Sequence, residues 1–329
     1  MVPIIICYCC HLICVTSFAS PNRIRVLIDS DIGLGQFHDL NESTPADIDD
    51  AYAIIHAIRS PKFDVAGITT VFGNTQVKAA NQSVQKILKL NHLPQIQWQE
   101  GSARAISRKT PCPIGAEGAA KFMASRLEHS PAYLLAIGPL SNISCMLAKY
   151  NHVIPNIKGI LVVMGQSLNT DFSINGVPVR DLNFESDLRA TENLINSKVP
   201  MTFFPFELTR KSLVQRRSIE RMKANDALLR FLKNSSFAFI NHWQKNFKED
   251  GFHPWDSAPV AYLENPNLFK CEMRQMSIDK IQDETKLLAK STKNTQTPWS
   301  FCYDFASNGA IKSFESVVVE KLTRKSGQS

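Results

Sequence analysis

The sequence predicts an α/β protein, an open and mostly parallel sheet flanked by helices within a single large domain. Three observations carry that reading. Short apolar runs rich in β-branched residues alternate with helically spaced segments from about residue 24 to residue 204, which implies right-handed βαβ units and a parallel sheet. Acids, amides and glycines stand just after these runs, where such sheets bind ligands. Finally, the chain has 329 residues, and at about 150 residues per domain two would fit, but no linker or internal repeat divides it. With 44% hydrophobic and 20% charged residues, 14 Gly and 17 Pro, it is no disordered chain, collagen or long coiled coil. The net charge is +7. Lys and Arg are scattered, in clusters as short as Arg216-Arg217, which argues against a nucleic-acid partner.

The elements follow in order. Residues 25–28 (RVLI) read as a strand, 49–59 as a helix, 63–71 as a β-branched strand and 76–90 as an amphipathic helix. A short strand at 96–98 precedes a helix at 117–127. Then come a strand at 133–137, a helix at 141–149, a strand at 159–164 (GILVVM), a helix at 187–196 and a strand at 201–204. Residues 207–262 read as mainly helical, and the last sixty as weaker strands at an edge.

The first twenty residues are uncharged and apolar up to Ser17-Phe18-Ala19. That pattern is a secretory signal peptide, residues 1–19, leaving a mature domain of 20–329 that is extracellular and has no membrane span. Cys112, Cys145, Cys271 and Cys302 remain. In an oxidising compartment they allow one or two disulfides with three pairings, although Cys145 reads equally well as a buried thiol. Their spacing fits no zinc motif. Sequons begin at Asn41, Asn81, Asn142 and Asn234; Asn41 and Asn234 are the better glycosylation sites, and Asn142 sits in a buried context.

Asp29, Asp31, Asp47, Asp49 and Asp50 lie close in sequence, with Asp256 far downstream. Carboxylates gathered at one site repel unless a cation neutralises them, and hard oxygen donors favour Ca²⁺ or Mg²⁺. The simpler reading is that Asp47, Asp49 and Asp50 favour the N-terminus of the following helix.

Asp29-Ser30-Asp31-Ile32-Gly33 followed by Asp49-Asp50-Ala51 resembles the D-x-D-x-G-x-D-D-A signature of the nucleoside hydrolases. Further matches come in order: Ile68 to Asn74 with its terminal Gly-Asn, Gly138-Pro139-Leu140-Ser141-Asn142, Met164-Gly165, Asn175 with Asp181-Leu182-Asn183-Phe184, and Trp255-Asp256. The resemblance covers roughly residues 24–270 and implies a Rossmann-like fold. It also implies one Ca²⁺ held by Asp31, Asp50, Asp256 and the carbonyl of Ile137, with Asp31 as general base. Ribose hydroxyls would fall to Asp49, Asn74, Asn175, Asp181 and Asn183. Trp255, where many members carry His, would stack on the base and lean the enzyme towards purines; it cannot itself give up a proton.

Three departures stand out. Asp31 and Asp49 are separated by an insertion, about 34–46, that must loop out at the pocket mouth. Asp181 replaces the family's Glu. Ile114 stands where members show His or Trp, with Phe72 the ring to compensate. The resemblance thus implies a secreted Ca²⁺-dependent ribonucleoside hydrolase, able to form a homo-oligomer. The competing readings are a catalytically weakened relative that binds nucleosides or cations, and a metal-dependent phosphohydrolase.

Overall fold

A computed structural model describes residues 23–34, 45–197, 199–281, 283–291 and 299–323. The proposed signal segment and Asn41 lie outside the described residues. The strands in chain order are β1 (Ile24–Ser30), β2 (Phe63–Thr70), β3 (Trp98–Gln99), β4 (Ala132–Ile137), β5 (Ile157–Val162), β6 (Gln166–Ser167), β7 (Ser173–Ile174), β8 (Val177–Pro178), β9 (Met201–Phe203), β10 (Val214–Gln215), β11 (Gly251–Phe252), β12 (Phe269–Ile281), β13 (Glu284–Ser291) and β14 (Trp299–Phe305). Ten of them form one sheet in the order β3-β2-β1-β4-β5-β9-β14-β12-β13-β6. All its pairings are parallel except those of β12 with β13 and with β14. β7 pairs with β8, and β10 with β11, as separate two-stranded sheets.

The central strands are buried on both faces, and their side chains alternate between two cores. Val26, Ile28, Leu135, Ile137 and Leu161 face one cluster; Leu27, Leu134, Ala136, Ile160 and Val162 face the other. This period of two is what a parallel sheet covered by helices requires. The Asp49–Arg59 helix is buried along its whole length. The Ser141–Lys149 helix coincides with the predicted one.

The C-terminal strands extend one side of the sheet as expected: β14 lies against β9, and β12 continues from it into an antiparallel hairpin with β13, which only β6 flanks. The predicted 187–196 helix is present as Leu188–Ser197, and a short helix that was not expected, Leu182–Ser186, precedes it across Asp187. Asp187 accepts from the Ile106 and Ala190 amides and from Ser141 Oγ, so its carboxylate serves as a junction as well as a cap. The cysteines pair as Cys112–Cys145 and Cys271–Cys302, so Cys145 is no free thiol. Cys271 and Cys302 are direct partners across β12 and β14.

The ends of the insertion are well placed. Leu34 and Ala46 are buried, and a Cβ on Gly33 would clash with that of Ala46 at 2.3 Å. The chain therefore leaves and rejoins the core at one point; residues 35–44 lie outside the described residues. Asn142 is fully buried and Asn81 nearly so, whereas Asn234 is exposed. No described helix is long and apolar enough to cross a membrane.

Candidate active site

The carboxyl ends of β1, β2, β5 and β9 open into a cavity of about 380 Å³. Its floor is acidic. Asp31 follows β1; Asp49 and Asp50 form the first turn of the helix that carries them; Asp256 precedes the Ser257–Glu264 helix. All four are at least 95% buried. One carboxylate oxygen from each of Asp49, Asp50 and Asp256 lies within 4.8 Å of the others.

The surrounding bonds fix these side chains. Ser30 Oγ donates to Asp50 Oδ1 at 2.5 Å, and the Asp256 amide to Asp49 Oδ2 at 3.0 Å. The Asn74 amide donates to Asp31 Oδ2 at 2.6 Å. Asn74 Nδ2 reaches the Asp47 carbonyl at 2.9 Å, and its Oδ1 accepts from the Asp47 amide at 2.8 Å. Gly73 is obligatory here: its φ is +148°, and a Cβ would collide with the Asp31 carboxylate. Asp29, first of the motif, faces away from this floor. It accepts from Thr69 Oγ1 and Asn142 Nδ2, tying together the ends of β1, β2 and the Ser141–Lys149 helix.

Among the described lining residues the only fixed cation is Arg180, which pairs with Glu185 at 2.6 Å. The floor therefore holds negative charge without a counter-charge. Burial pushes Asp31 up to about 8 and Asp49 to about 6, and holds Asp50 and Asp256 well above the ordinary carboxylate range; neighbouring carboxylates add to the effect at Asp31, Asp50 and Asp256. An oxygen-only, converging and uncompensated donor set fits a hard divalent cation.

The opposite wall is aromatic. Phe172 stacks on Phe206 at 4.1 Å; Phe206 and Trp255 are nearly parallel at 6.3 Å; Trp243 lies 5.5 Å from Trp255 and 4.5 Å from Phe247. Trp243, Phe247 and the neighbouring His242 come from the Ala227–Phe247 helix.

The structure brings Asp31, Asp49, Asp50, Asn74, Asp181, Asn183, Trp255 and Asp256 to one cavity. Ile137 ends β4 in register with Ser30, beside the Asp31 turn. Asp181 is occupied locally: Oδ2 accepts from the Gly165 amide at 2.6 Å, and Oδ1 caps the next helix. Asn183 Nδ2 donates to the Val163 carbonyl at 3.0 Å. Asn175 stands apart. It is exposed, with φ +50°, does not line the cavity, and donates through Nδ2 to the Phe247 carbonyl at 2.8 Å. Ile114 is 92% exposed and Phe72 is off the lining, so neither shapes this cavity. Sequence reasoning missed His242, Trp243, Phe247, Phe172 and Phe206. A His-Trp pair four residues before a Phe on one helix was the available signal.

Known proteins agree with this architecture. Residues 43–304 match the family model described as inosine-uridine preferring nucleoside hydrolase, and the chain belongs to that family. Membership makes it a hydrolase acting on N-glycosyl bonds. A pyrimidine-specific ribonucleoside hydrolase from Shewanella sp. (strain MR-4) is 26% identical over 68% of this chain and 77% of its own length. A probable uridine nucleosidase from Oryza sativa subsp. japonica is 23% identical over 85% and 90%. In fold, a plant nucleoside hydrolase superposes with a TM-score of 0.74 at 17% identity, covering 91% of this chain and 99% of that one. A purine-preferring ribonucleoside hydrolase from Gardnerella vaginalis gives 0.73 at 18%, with the same coverage.

Proposed function

We propose that this chain is a secreted, calcium-dependent N-ribohydrolase that converts ribonucleosides, purines in preference, to free base and ribose. The carrying observation is a buried carboxylate floor without counter-charge, facing an aromatic wall across one cavity. Asp31, Asp50, Asp256 and the Ile137 carbonyl would hold the cation, with Asp49 close enough to Asp50 and Asp256 to join them. When bound, Ca²⁺ supplies the positive charge that keeps these carboxylates ionised and orients the sugar hydroxyls and water.

The remaining chemistry falls to the chain. Asp31 accepts a proton from the attacking water, whose oxygen bonds to the anomeric carbon. The C–N bond breaks, and its electron pair leaves on the base. Positive charge developing on the sugar ring is stabilised by the carboxylate floor. Asn74, Asp49, Asp181 and Asn183 would grip the ribose hydroxyls, since amides and carboxylates match groups that both donate and accept. Asn175 joins them only if its amide turns from Phe247. The broad faces of Trp255 and Phe206 support a purine preference, although two relatives are named for pyrimidine or uridine substrates. Export rests on the amino-terminal pattern of residues 1–19.

A reducing-sugar assay on inosine, adenosine, guanosine and uridine, with and without chelator, tests the reading. Sugar release that chelation abolishes and Ca²⁺ restores is expected. Intact nucleosides under both conditions would refute it, as would phosphate release from phosphoesters in its place.

A further inference from the structure

Three of the floor's carboxylates come from two helices that run side by side. Asp49 and Asp50 open the Asp49–Arg59 helix, and Asp256 directly precedes the Ser257–Glu264 helix. The two helices pack on one another. Their starts meet at the floor, where the Asp256 amide donates to Asp49 Oδ2 at 3.0 Å. Their ends meet too, roughly 12 Å away, the rise of the eight residues of the second helix. There Glu264, the last residue of that helix, has a side chain only 5% exposed. Its Oε1 accepts from Ser60 Oγ, on the residue that caps the first helix, and lies 3.3 Å from His56 Nε2 in that helix's last turn. Its Oε2 lies 3.1 Å from Lys321 Nζ, which the Lys321–Thr323 turn supplies. Lys62 Nζ donates to the Glu264 carbonyl at 3.1 Å. Arg59 closes the same corner, donating to the Leu322 carbonyl and to Asp226.

A carboxylate in the last turn opposes the dipole of its own helix. A buried ion cluster also gains little over apolar side chains of the same volume. Glu264 therefore serves neither its own helix nor bulk stability. Burial would push its carboxyl up, but the contacts with His56, Ser60 and Lys321 outweigh burial and hold it well below the ordinary range. What the cluster fixes is the position of one helix end against the other. We infer that Glu264 is a positioning residue of the floor: by engaging His56, Ser60 and Lys321 it sets the register of the two helices, and so the spacing of Asp256 from Asp49 and Asp50. A hydrogen-bonded helix keeps its length, so a slip at one end is a slip at the other. The three carboxylate oxygens lie within 4.8 Å of one another. A slip of about 1 Å is thus a large part of the spacing that a shared cation must bridge.

The inference rests on the calcium-dependent reading above, and calorimetry separates the two failures. Ca²⁺ affinity, and melting temperature without metal, are measured for the parent, Glu264→Gln, Lys321→Met and Leu127→Ala. Glu264→Gln keeps the volume and removes the charge. Its Ca²⁺ affinity should fall at least about tenfold, the scale for groups that orient metal ligands. Lys321→Met removes one partner of the carboxylate and should weaken Ca²⁺ about threefold, as for one partly exposed ion pair. Leu127→Ala opens a cavity in the core across the sheet. It should lower the melting temperature yet leave affinity within about twofold of the parent, since the two sites are far apart. Parent-like Ca²⁺ affinity in Glu264→Gln overturns the assignment; if that variant does not fold, parent-like affinity in Lys321→Met does the same. An equal loss of affinity in Leu127→Ala also overturns it, because affinity then merely follows stability. A parent that binds no Ca²⁺ overturns the calcium reading itself.

Discussion

The floor and the wall of the cavity are built on opposite physical terms. The floor gathers four buried carboxylates with no cation beside them among the described residues. Such an arrangement opposes folding and is held in place by its neighbours: Ser30, the Asn74 and Asp256 amides, and a glycine that only a bare backbone could replace. The wall gathers apolar rings that stack on one another and stabilise the fold as they shape the site. The difference teaches where tolerance lies. Floor substitutions should act on chemistry and cation binding, and wall substitutions on which base is accepted.

The hardest test of that contrast is Asp31→Asn. Asn keeps the shape and can still accept from the Asn74 amide, but it neither takes a proton nor carries charge. Turnover should fall by at least about a thousandfold while melting temperature in buffer without metal holds or rises. Activity within tenfold of the parent would break the assignment of the floor to chemistry.

The floor should also reveal itself through pH. Its carboxylates titrate higher in the folded protein than the ordinary value near 3.9 of an unfolded chain. Without metal, their contribution to stability is fully present below about pH 4 and is lost as pH rises through about 6 for Asp49 and about 8 for Asp31. Chelated protein should therefore melt lower at pH 8 than at pH 5. Excess Ca²⁺ should raise the pH 8 melting temperature by on the order of 5 °C, and less at pH 5, where protons compete for the oxygens. A flat calorimetric profile with no Ca²⁺ response would show that the floor carries no such charge.

The floor was more legible in the sequence than the wall, for a physical reason. Metal-type carboxylates must sit at strand ends and helix starts, and β1, β2, β4 and β5 are apolar runs buried on both faces, so they stand out. The order Asp31, Asp49-Asp50, Asn74, Asp256 could thus be placed along the predicted sheet edge. Helical spacing shows which residues share a stripe but not whether the stripe meets core or cavity, so within the helical stretch 207–262 Trp243, Phe247 and His242 did not stand out. The strands β12 to β14 were faint because much of β12 is exposed or half-buried and its pattern weak. Asp187 was read as a helix start; that its carboxylate also joins Ser141 and Ile106 depends on contacts far away in sequence.

Trp255→Ala tests the wall. A purine offers two rings to the indole and a pyrimidine one, so its removal should cost inosine about tenfold more than uridine in kcat/KM, the scale of a lost stacking contact. Calcium affinity should stay close to that of the parent. If both substrates fall equally and calcium affinity falls with them, the indole is a wedge beneath Asp256 and the purine preference has no support.

The smallest expected effect separates two asparagines that the family pattern treats alike. Asn183 lines the cavity; Asn175 does not, and its amide is spent on the Phe247 carbonyl between the β7–β8 turn and the end of the Ala227–Phe247 helix. Removing a ribose contact should raise KM and lower kcat/KM by about tenfold or more, as expected for a hydrogen bond to substrate. Asn183→Ala should show that loss. Asn175→Ala deletes a tie behind the wall, so its loss should be only about threefold, common to all nucleosides, because Phe247 shifts without leaving. If Asn175→Ala instead matches Asn183→Ala, the amide must turn from Phe247 to the ribose when substrate binds, and the β7–β8 turn would move with it. Measuring both variants on inosine and uridine decides between an anchored wall and one completed by the substrate.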